Sequence, residues 1–164
     1  MMSNAFPVLS LAIWLPIVWG AALLFTTPRT LATPTVRLMA LAGAVLEFLV
    51  TLPLVVGFDR AARGVQFVEK APWIERFGIQ YYLGIDGLSM WFIPLTALIT
   101  IFVVIAAWEV IEERVGQYMG AFLVLSGLMI GVFSALDGVL FYVFFEATLI
   151  PMYLIIGIWG GPNK

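Results

Sequence analysis

Long runs of apolar residues alternate with short polar stretches along this chain. Five of these runs are close to the roughly 20 residues that a membrane-spanning helix needs. They are continuous, whereas the spans of a membrane β-barrel are segments of about ten residues with alternating polarity. The pattern therefore predicts an all-α integral membrane protein with about five transmembrane helices, at residues 5–25, 36–58, 87–108, 118–136 and 139–159.

One polar stretch, residues 59–86, is much longer than the others. It contains two short β-prone sequences, VQFV and GIQYYL, separated by a segment that includes APW. This arrangement is typical of a small hairpin or of an interfacial segment on the membrane, with Trp73, Tyr81 and Tyr82 as interface anchors. We therefore divide the chain into two helices within residues 1–58, an extramembrane loop at 59–86 and three helices within 87–164.

The composition agrees with a membrane protein and argues against several kinds of site. Hydrophobic residues make up 63% of the chain and charged residues 11%, against about 45–50% and about 25% in soluble domains. The chain contains neither cysteine nor histidine, the usual ligands of zinc, haem and iron–sulfur clusters, so we expect no metal site and no electron-transfer centre in it. The net charge of −2, without a Lys/Arg cluster, argues against nucleic-acid binding.

Glu146 lies inside the fifth apolar run, LFYVFFEATLIPMYLIIGIW. Ionisable side chains within membrane spans are costly, by roughly 2.5–3.5 kcal/mol on insertion scales, and they are functional by default. Tyr142 and Tyr153 fall on the same helix face as Glu146, and Pro151 frees a backbone carbonyl one turn back. We interpret Glu146 as a protonatable relay site with Tyr142 and Tyr153 beside it. The alternative is a neutral carboxyl group hydrogen-bonded to a neighbouring helix.

A second acidic residue, Glu47, lies near the middle of the second apolar run. Gly43 precedes it by one helical turn and Thr51 follows it by one turn. Glu47 is either a second relay carboxylate or a buried acid that is hydrogen-bonded by Thr51 or by another helix, which Gly43 would allow to approach closely. The lysines of the chain lie outside the apolar runs, so a basic partner for Glu146 is expected to come from elsewhere.

The remaining polar motifs have simpler structural interpretations. Gly127 and Gly131, in G-x-x-x-G spacing, favour close helix packing. Asp86 and Asp137 precede the third and fifth apolar runs and are typical of helix caps. The acidic sequence WEVIEERVGQ, which follows the third run, is most simply a solvated helix end, with a proton-collecting mouth as the alternative.

Three segments carry a resemblance to a known family: QFVEKAPWI, YYLGIDGLSMWFIPLTALIT and IGVFSALDGVLFYVFFEATLIPMYLIIGIWGG. They resemble the subunit M family (chain 4 in mitochondria) of the proton-pumping NADH:quinone oxidoreductase, respiratory complex I. The resemblance implies the N-terminal part of an antiporter-like subunit of about fourteen helices built from inverted repeats. It implies that Glu146 is a charge-relay carboxylate paired with a lysine on a later helix. Glu47 has no counterpart among the motifs of the family.

The resemblance also implies a function and a setting. The subunit would couple electron transfer from NADH to quinone with proton translocation, in the bacterial inner (cytoplasmic) membrane or, if organellar, the mitochondrial inner membrane. Flavin, iron–sulfur clusters and NADH would belong to other subunits, so no cofactor is expected in this chain. Its partners would be other membrane subunits of complex I and the lipid bilayer, with quinone involved only indirectly. Because the sequence ends before any lysine of the relay, we expect this piece to be inactive alone.

Two other functions are compatible with the pattern. One is a subunit of the related multisubunit cation/proton antiporters, which sodium-dependent transport without NADH-linked activity would indicate. The other is a structural membrane scaffold whose acids are buried and neutral. A scaffold would tolerate Glu146→Gln, because glutamine keeps hydrogen bonds and removes only the charge.

Overall fold

The computed structural model describes residues 7–26, 29, 32–61 and 63–162. Within these residues, five α-helices and one two-stranded antiparallel sheet follow one another along the chain. The all-α membrane architecture with one hairpin, predicted from the apolar pattern, is therefore confirmed. In chain order the elements are α1 (Val8–Leu24), α2 (Thr33–Val56), β1 (Gln66–Ile74), β2 (Ile79–Ile85), α3 (Ser89–Val110), α4 (Val115–Ser134) and α5 (Gly138–Trp159).

Four of the described helices, α2 to α5, are long and apolar enough to cross a membrane. The remaining helix, α1, is also apolar but is shorter, with 17 described residues. At about 1.5 Å per residue this is roughly 26 Å, at the short end of the usual range for a span. The first two residues of the predicted first span, 5 and 6, lie outside the described part of the chain. The division of the sequence into three segments stays a prediction.

The helix ends differ from the predicted limits by a few residues, for local reasons. α2 begins at Thr33, three residues earlier than predicted, because Pro34 suits the first helical turn, where its missing N–H costs nothing. α3 begins two residues later than predicted, after a turn in which the Asp86 carboxylate accepts hydrogen bonds from the backbone N–H groups of Ser89 and Leu88. Asp86 is therefore a cap, as predicted, and these hydrogen bonds hold its pKa below the usual value.

The acidic sequence after the third span forms the end of α3 and the turn into α4. α3 continues through Glu109, and the side chains of Glu109, Glu112 and Glu113 are exposed, in agreement with a solvated helix end. Arg37 of α2 donates a hydrogen bond of 3.1 Å to the carbonyl oxygen of Ile111. A cation is favourable at the C-terminal end of a helix, where backbone carbonyls are unpaired. This contact fixes the end of α3 against the start of α2.

The hairpin predicted in the long loop is present, with one difference in its limits. β1 and β2 pair antiparallel from Gln66 with Ile85 to Ile74 with Ile79. The segment APW lies within β1 and not between the strands, so its prediction as a separator was wrong. Pro72 is opposite Gln80 in a sheet of two strands, where every strand is an edge strand and proline is tolerated.

The hairpin packs on the starts of two helices. The Tyr81 hydroxyl is hydrogen-bonded to the Ser10 hydroxyl at 2.8 Å and accepts a bond from the Trp14 indole at 3.0 Å. The Glu69 carboxylate accepts a bond from the Ser10 N–H, one of the unpaired donors in the first turn of α1. Tyr81, predicted to be an interface anchor, therefore joins β2 to α1.

On the other side, the hairpin contacts the turn between α4 and α5. The Leu136 N–H donates to the Tyr82 carbonyl oxygen at 2.8 Å. The Asp137 carboxylate accepts bonds from the N–H groups of Gln80, Leu140 and Val139, so it caps α5 as predicted. These bonds, that from Gln80 first, hold the pKa of Asp137 below its usual value. The hairpin thus fixes where α5 begins.

α4 is the central helix and packs against all four others. Two of its glycines face different neighbours. A Cβ at Gly127 would lie against the carbonyl oxygen of Ile13 in α1, and a Cβ at Gly131 would lie against the ring of Phe144 in α5. Both positions need the absence of a side chain, so the prediction of close packing at the G-x-x-x-G motif is confirmed.

Candidate functional site

α5 has one face against the bundle and one face without protein cover in the described part of the chain. The buried residues Leu140, Phe144, Thr148 and Pro151 follow the spacing of a single helix face, and α5 packs mainly on α4. Because α5 is apolar on both faces, neither face is specified by polarity alone. The position of α5 is instead set by its glycine contact with α4 and by the Asp137 cap.

Glu146 lies on the uncovered face of α5. Its side chain is exposed, and the neighbouring Tyr142 and Tyr153 are 61% and 78% exposed. The sequence placed these three residues on one face, and the structure has all three pointing away from α4. The carboxylate is therefore open to whatever covers this face, which is hydrocarbon or further protein.

No cation of the described helices is available to Glu146 as a partner. Arg37 is the only lysine or arginine within the described ranges of α1 to α5, and it is bound to the end of α3. Pro151 lies one turn beyond Glu146, and its ring nitrogen cannot donate to the carbonyl oxygen of Ala147. An acidic side chain and a carbonyl group that lacks its usual helical donor thus occur at adjacent positions of one span.

Glu47 occupies a different environment, at the contact of α2 with α4. Its side chain is 0% exposed. The Ser126 hydroxyl of α4 donates a hydrogen bond to Oε1 of Glu47, whereas Oε2 has no hydrogen-bond partner among the described residues. Ser126 in turn accepts a bond of 2.8 Å from the Thr100 hydroxyl of α3. Three helices therefore contribute to one line of hydrogen-bonded oxygens.

The partner of Glu47 is not the one nearest in sequence. The Thr51 hydroxyl donates to the carbonyl oxygen of Phe48 in its own helix, at 2.6 Å. Gly43 does not face α4 either, because the indole of Trp19 in α1 lies where its Cβ would be. Of the two interpretations of Glu47 as a buried acid, hydrogen bonding by Thr51 was therefore wrong and hydrogen bonding by another helix was right.

Comparisons with known proteins relate this chain to one group of membrane subunits. No protein-family model matches the chain. It is 49% identical over 158 residues to NADH-quinone oxidoreductase subunit M of Rhodobacter capsulatus, which covers 95% of this chain and 30% of the relative. It is 35% identical over 158 residues to F(420)H(2) dehydrogenase subunit M of Methanosarcina mazei, covering 96% of this chain and 31% of the relative.

Comparison of the fold with solved structures relates the chain to the same group of membrane subunits. A chain of respiratory complex I from Thermus thermophilus with bound NADH superposes with a TM-score of 0.75 at 34% identity, over 92% of this chain and 29% of that chain. The resemblance to the subunit M family is confirmed. The chain spans about 30% of the length of the relatives that it matches.

In the structure, the predicted site residues of this subunit M relative fall into two separate groups. Tyr142, Glu146 and Tyr153 lie together on the uncovered face of α5, and Glu47 lies on α2 with partners on α3 and α4. Among the described residues, no three acidic side chains come close enough to hold a metal ion. The sequence analysis assigned no polar role to Thr100 or Ser126. The signal was present in α3, where Thr96 and Thr100 are one turn apart in an apolar stretch of the helix.

Proposed function

We propose that this chain forms part of a membrane subunit of NADH:quinone oxidoreductase that couples electron transfer to proton translocation, with Glu146 as its charge-relay carboxylate. The observation that carries the proposal is the position of Glu146. It is an acidic side chain on an apolar span, directed away from the bundle and flanked by two exposed tyrosines. Acids at such positions in membrane proteins belong to ion pathways by default.

The names of the relatives support a role that does not depend on one electron donor. One relative is named for NADH and quinone and another for F(420)H(2). The electron donor differs, although both resemble nearly all of this chain. The shared helices therefore serve a step that is independent of the donor. NADH, flavin and iron–sulfur clusters would be bound by other subunits, and quinone would act on this chain only indirectly.

The relay follows from electrostatics at the uncovered face. An ionised carboxylate in a medium of low dielectric constant is strongly stabilised by a nearby cation and strongly destabilised when that cation moves away. A lysine on a neighbouring span would therefore control whether Glu146 is ionised or protonated. The hydroxyl groups of Tyr142 and Tyr153 would hydrogen-bond water along the same face and keep a proton path beside the acid.

The subunit would act together with other membrane subunits of complex I, which would cover the part of α5 that this chain leaves bare. Its location would be the inner (cytoplasmic) membrane of a bacterium or the inner membrane of a mitochondrion. The piece described here would not translocate protons alone, because the cation that Glu146 requires is absent from its described helices.

The test is Glu146→Gln in the assembled complex, in closed membrane vesicles. We expect NADH-driven proton translocation to fall by at least about tenfold, since removal of a proton-transfer group costs this much or more. Glu146→Asp is the matched control, because it keeps a carboxylate and should retain part of the activity. Full proton translocation by Glu146→Gln would indicate a scaffold role. Sodium-dependent transport without a link to NADH would indicate an antiporter subunit.

A further inference from the structure

The relay at Glu146 makes no use of Glu47, although Glu47 is the more deeply buried acid. Its carboxyl group is enclosed by protein and accepts one hydrogen bond, from Ser126. The second oxygen, Oε2, has no partner among the described residues. A purely structural acid would have hydrogen bonds on both oxygens, because a buried polar atom without a partner is costly.

The charged and titratable groups around Glu47 do not compensate its charge. α2 packs on α1, α3 and α4. α1 contains no titratable side chain, α3 contributes Glu109, α4 contributes Tyr118, and α2 itself contributes Arg37. Arg37 is ten residues from Glu47, roughly 15 Å along the helix, and is bound elsewhere. An ionised Glu47 would be a buried charge without a counter-ion, so burial favours uptake of a proton by its carboxylate.

A chain of hydroxyl groups connects Glu47 to a cavity between α3 and α4. Thr100 donates to Ser126, and Ser126 donates to Glu47. Thr96, Thr100 and Ser126 line the cavity, which has a volume of about 130 Å³. The other lining residues are apolar, so water in this cavity would be held beside these three hydroxyl groups, which supply the polar partners that a buried water needs. Ile99, whose side chain is half-exposed, also lines the cavity.

We propose that Glu47 is a second proton-exchange site of this chain, loaded from water in the α3–α4 cavity through the hydroxyl groups of Thr100 and Ser126. Hydroxyl groups both donate and accept, so each can pass on one proton as it receives another. The Ser126 O–H is directed at Oε1 of Glu47, and the single Thr100 O–H has two acceptors within reach, the Ser126 oxygen and the Thr96 carbonyl oxygen. Loading runs from Thr100 to Ser126 to Glu47 when the Thr100 proton is directed at Ser126. The site does not depend on the relay at Glu146.

The transfer balances without another reactant. A hydronium ion in the cavity gives a proton to the Thr100 oxygen, and the Thr100 proton moves to the Ser126 oxygen. The Ser126 proton then bonds to Oε1 of Glu47. Each hydroxyl group loses one O–H bond and gains one, the hydronium ion becomes water, and the carboxylate becomes a carboxylic acid. Release of the proton is the reverse sequence.

The test follows the carboxylic C=O stretch of Glu47 by infrared spectroscopy in the assembled complex, after transfer from H2O to D2O. Glu47→Gln identifies the band by removing it. We expect the band to shift on deuteration and Ser126→Ala to slow this shift by at least about tenfold. Ser126→Thr keeps a hydroxyl group and should restore the rate. Thr51→Val is the matched control, because the Thr51 hydroxyl bonds only within its own helix, and it should leave the rate unchanged.

Three results would overturn the proposal. A band that never shifts in D2O would make Glu47 a sealed structural acid. An equal rate in Ser126→Ala and the parent complex would exclude the hydroxyl route. Loss of the band on addition of sodium at constant pH would make the site a cation site. If Glu47→Gln does not assemble, the frequency change in Ser126→Ala assigns the band, since loss of a hydrogen bond alters the stretch. None of these results bears on Glu146, whose test is proton translocation.

Discussion

The hydroxyl group of Ser126 donates a hydrogen bond to the carboxyl group of Glu47 across the contact between α4 and α2. Both side chains are buried. Buried apolar side chains of both helices, among them Ala44 of α2 and Leu123 of α4, belong to the same core cluster, and apolar contacts specify position only loosely. The bond between the two buried groups forms only over a narrow range of helix orientations, so it specifies how α2 and α4 are rotated against each other.

We predict strong coupling between these two residues in a double-mutant cycle. Ser126→Ala leaves both oxygens of a buried carboxyl group without a donor and should destabilise the complex by about 1–3 kcal/mol. Glu47→Leu with Ser126→Ala removes both polar groups and should recover most of this loss. The measurement is thermal unfolding of the complex in detergent. Additive effects of the two substitutions would show that the bond contributes nothing specific.

The five helices and the hairpin were predictable because a membrane permits few alternatives. Backbone groups in hydrocarbon must be paired internally, so each long apolar run has to be helical. The sequence APW was misplaced because proline usually ends a strand, and a two-stranded sheet tolerates it on an edge. The observed helix ends differ from the predicted ones where a cap or a proline sets the first turn, as Pro34 does for α2.

In the candidate site, the two acidic residues were predictable from the sequence and their hydrogen-bond partners were not. Glu146 and Glu47 are recognisable because an acid in an apolar run is rare. Their partners depend on which helices meet and how each is rotated, which local spacing does not determine. Thr51 was one turn from Glu47, but a helical threonine can satisfy its hydroxyl on its own backbone. Ser126, 79 positions away in sequence, was the donor.

Alanine in place of glycine should destabilise the complex at the α1–α4 contact and not at an exposed position of α5. A Cβ at Gly120 would lie 2.5 Å from the carbonyl oxygen of Gly20, so Gly120→Ala forces two backbones apart and should cost about 1–3 kcal/mol. Gly157→Ala is the matched control, because nothing lies within 4 Å of its Cβ position and alanine favours a helix by up to about 1 kcal/mol. Thermal unfolding of the complex measures both. Equal effects would contradict the close packing of α1 on α4.

The tyrosines beside Glu146 should affect transport without affecting assembly. Tyr142→Phe and Tyr153→Phe each remove one exposed hydroxyl group and preserve the ring, so the packing of α5 should not change. If these hydroxyl groups hold water beside the carboxylate, each substitution should lower NADH-driven proton translocation several-fold. Phe141→Leu, which alters an exposed aromatic ring without a hydroxyl group, is the control. Unchanged translocation in the double variant would restrict the relay to Glu146.

Asp137 should make the start of α5 sensitive to acid. Its pKa is lowered in the folded protein by hydrogen bonds from Gln80, Leu140 and Val139, from an ordinary value of 3.8. A group whose pKa is lower when folded stabilises the fold above its unfolded pKa, and the stabilisation is lost as the pH falls through the folded pKa. Asp137→Ala should therefore lower the melting temperature of the complex at neutral pH. The difference from the parent should shrink below pH 3.8 and vanish once the parent carboxyl group is protonated.

The matched control for this titration is Asp59→Ala in the loop before the hairpin. The Asp59 carboxylate accepts a hydrogen bond from the N–H of Ala61, two residues away. The bonds between Asp59 and Gln66 of β1 use the backbone of Asp59, which alanine keeps. Its substitution should leave the melting temperature nearly unchanged at every pH. A constant difference between Asp137→Ala and the parent across the acidic range would mean that Asp137 stabilises α5 through its shape and not through its charge. The hairpin would then hold the start of α5 chiefly through the backbone bond from Leu136 to Tyr82.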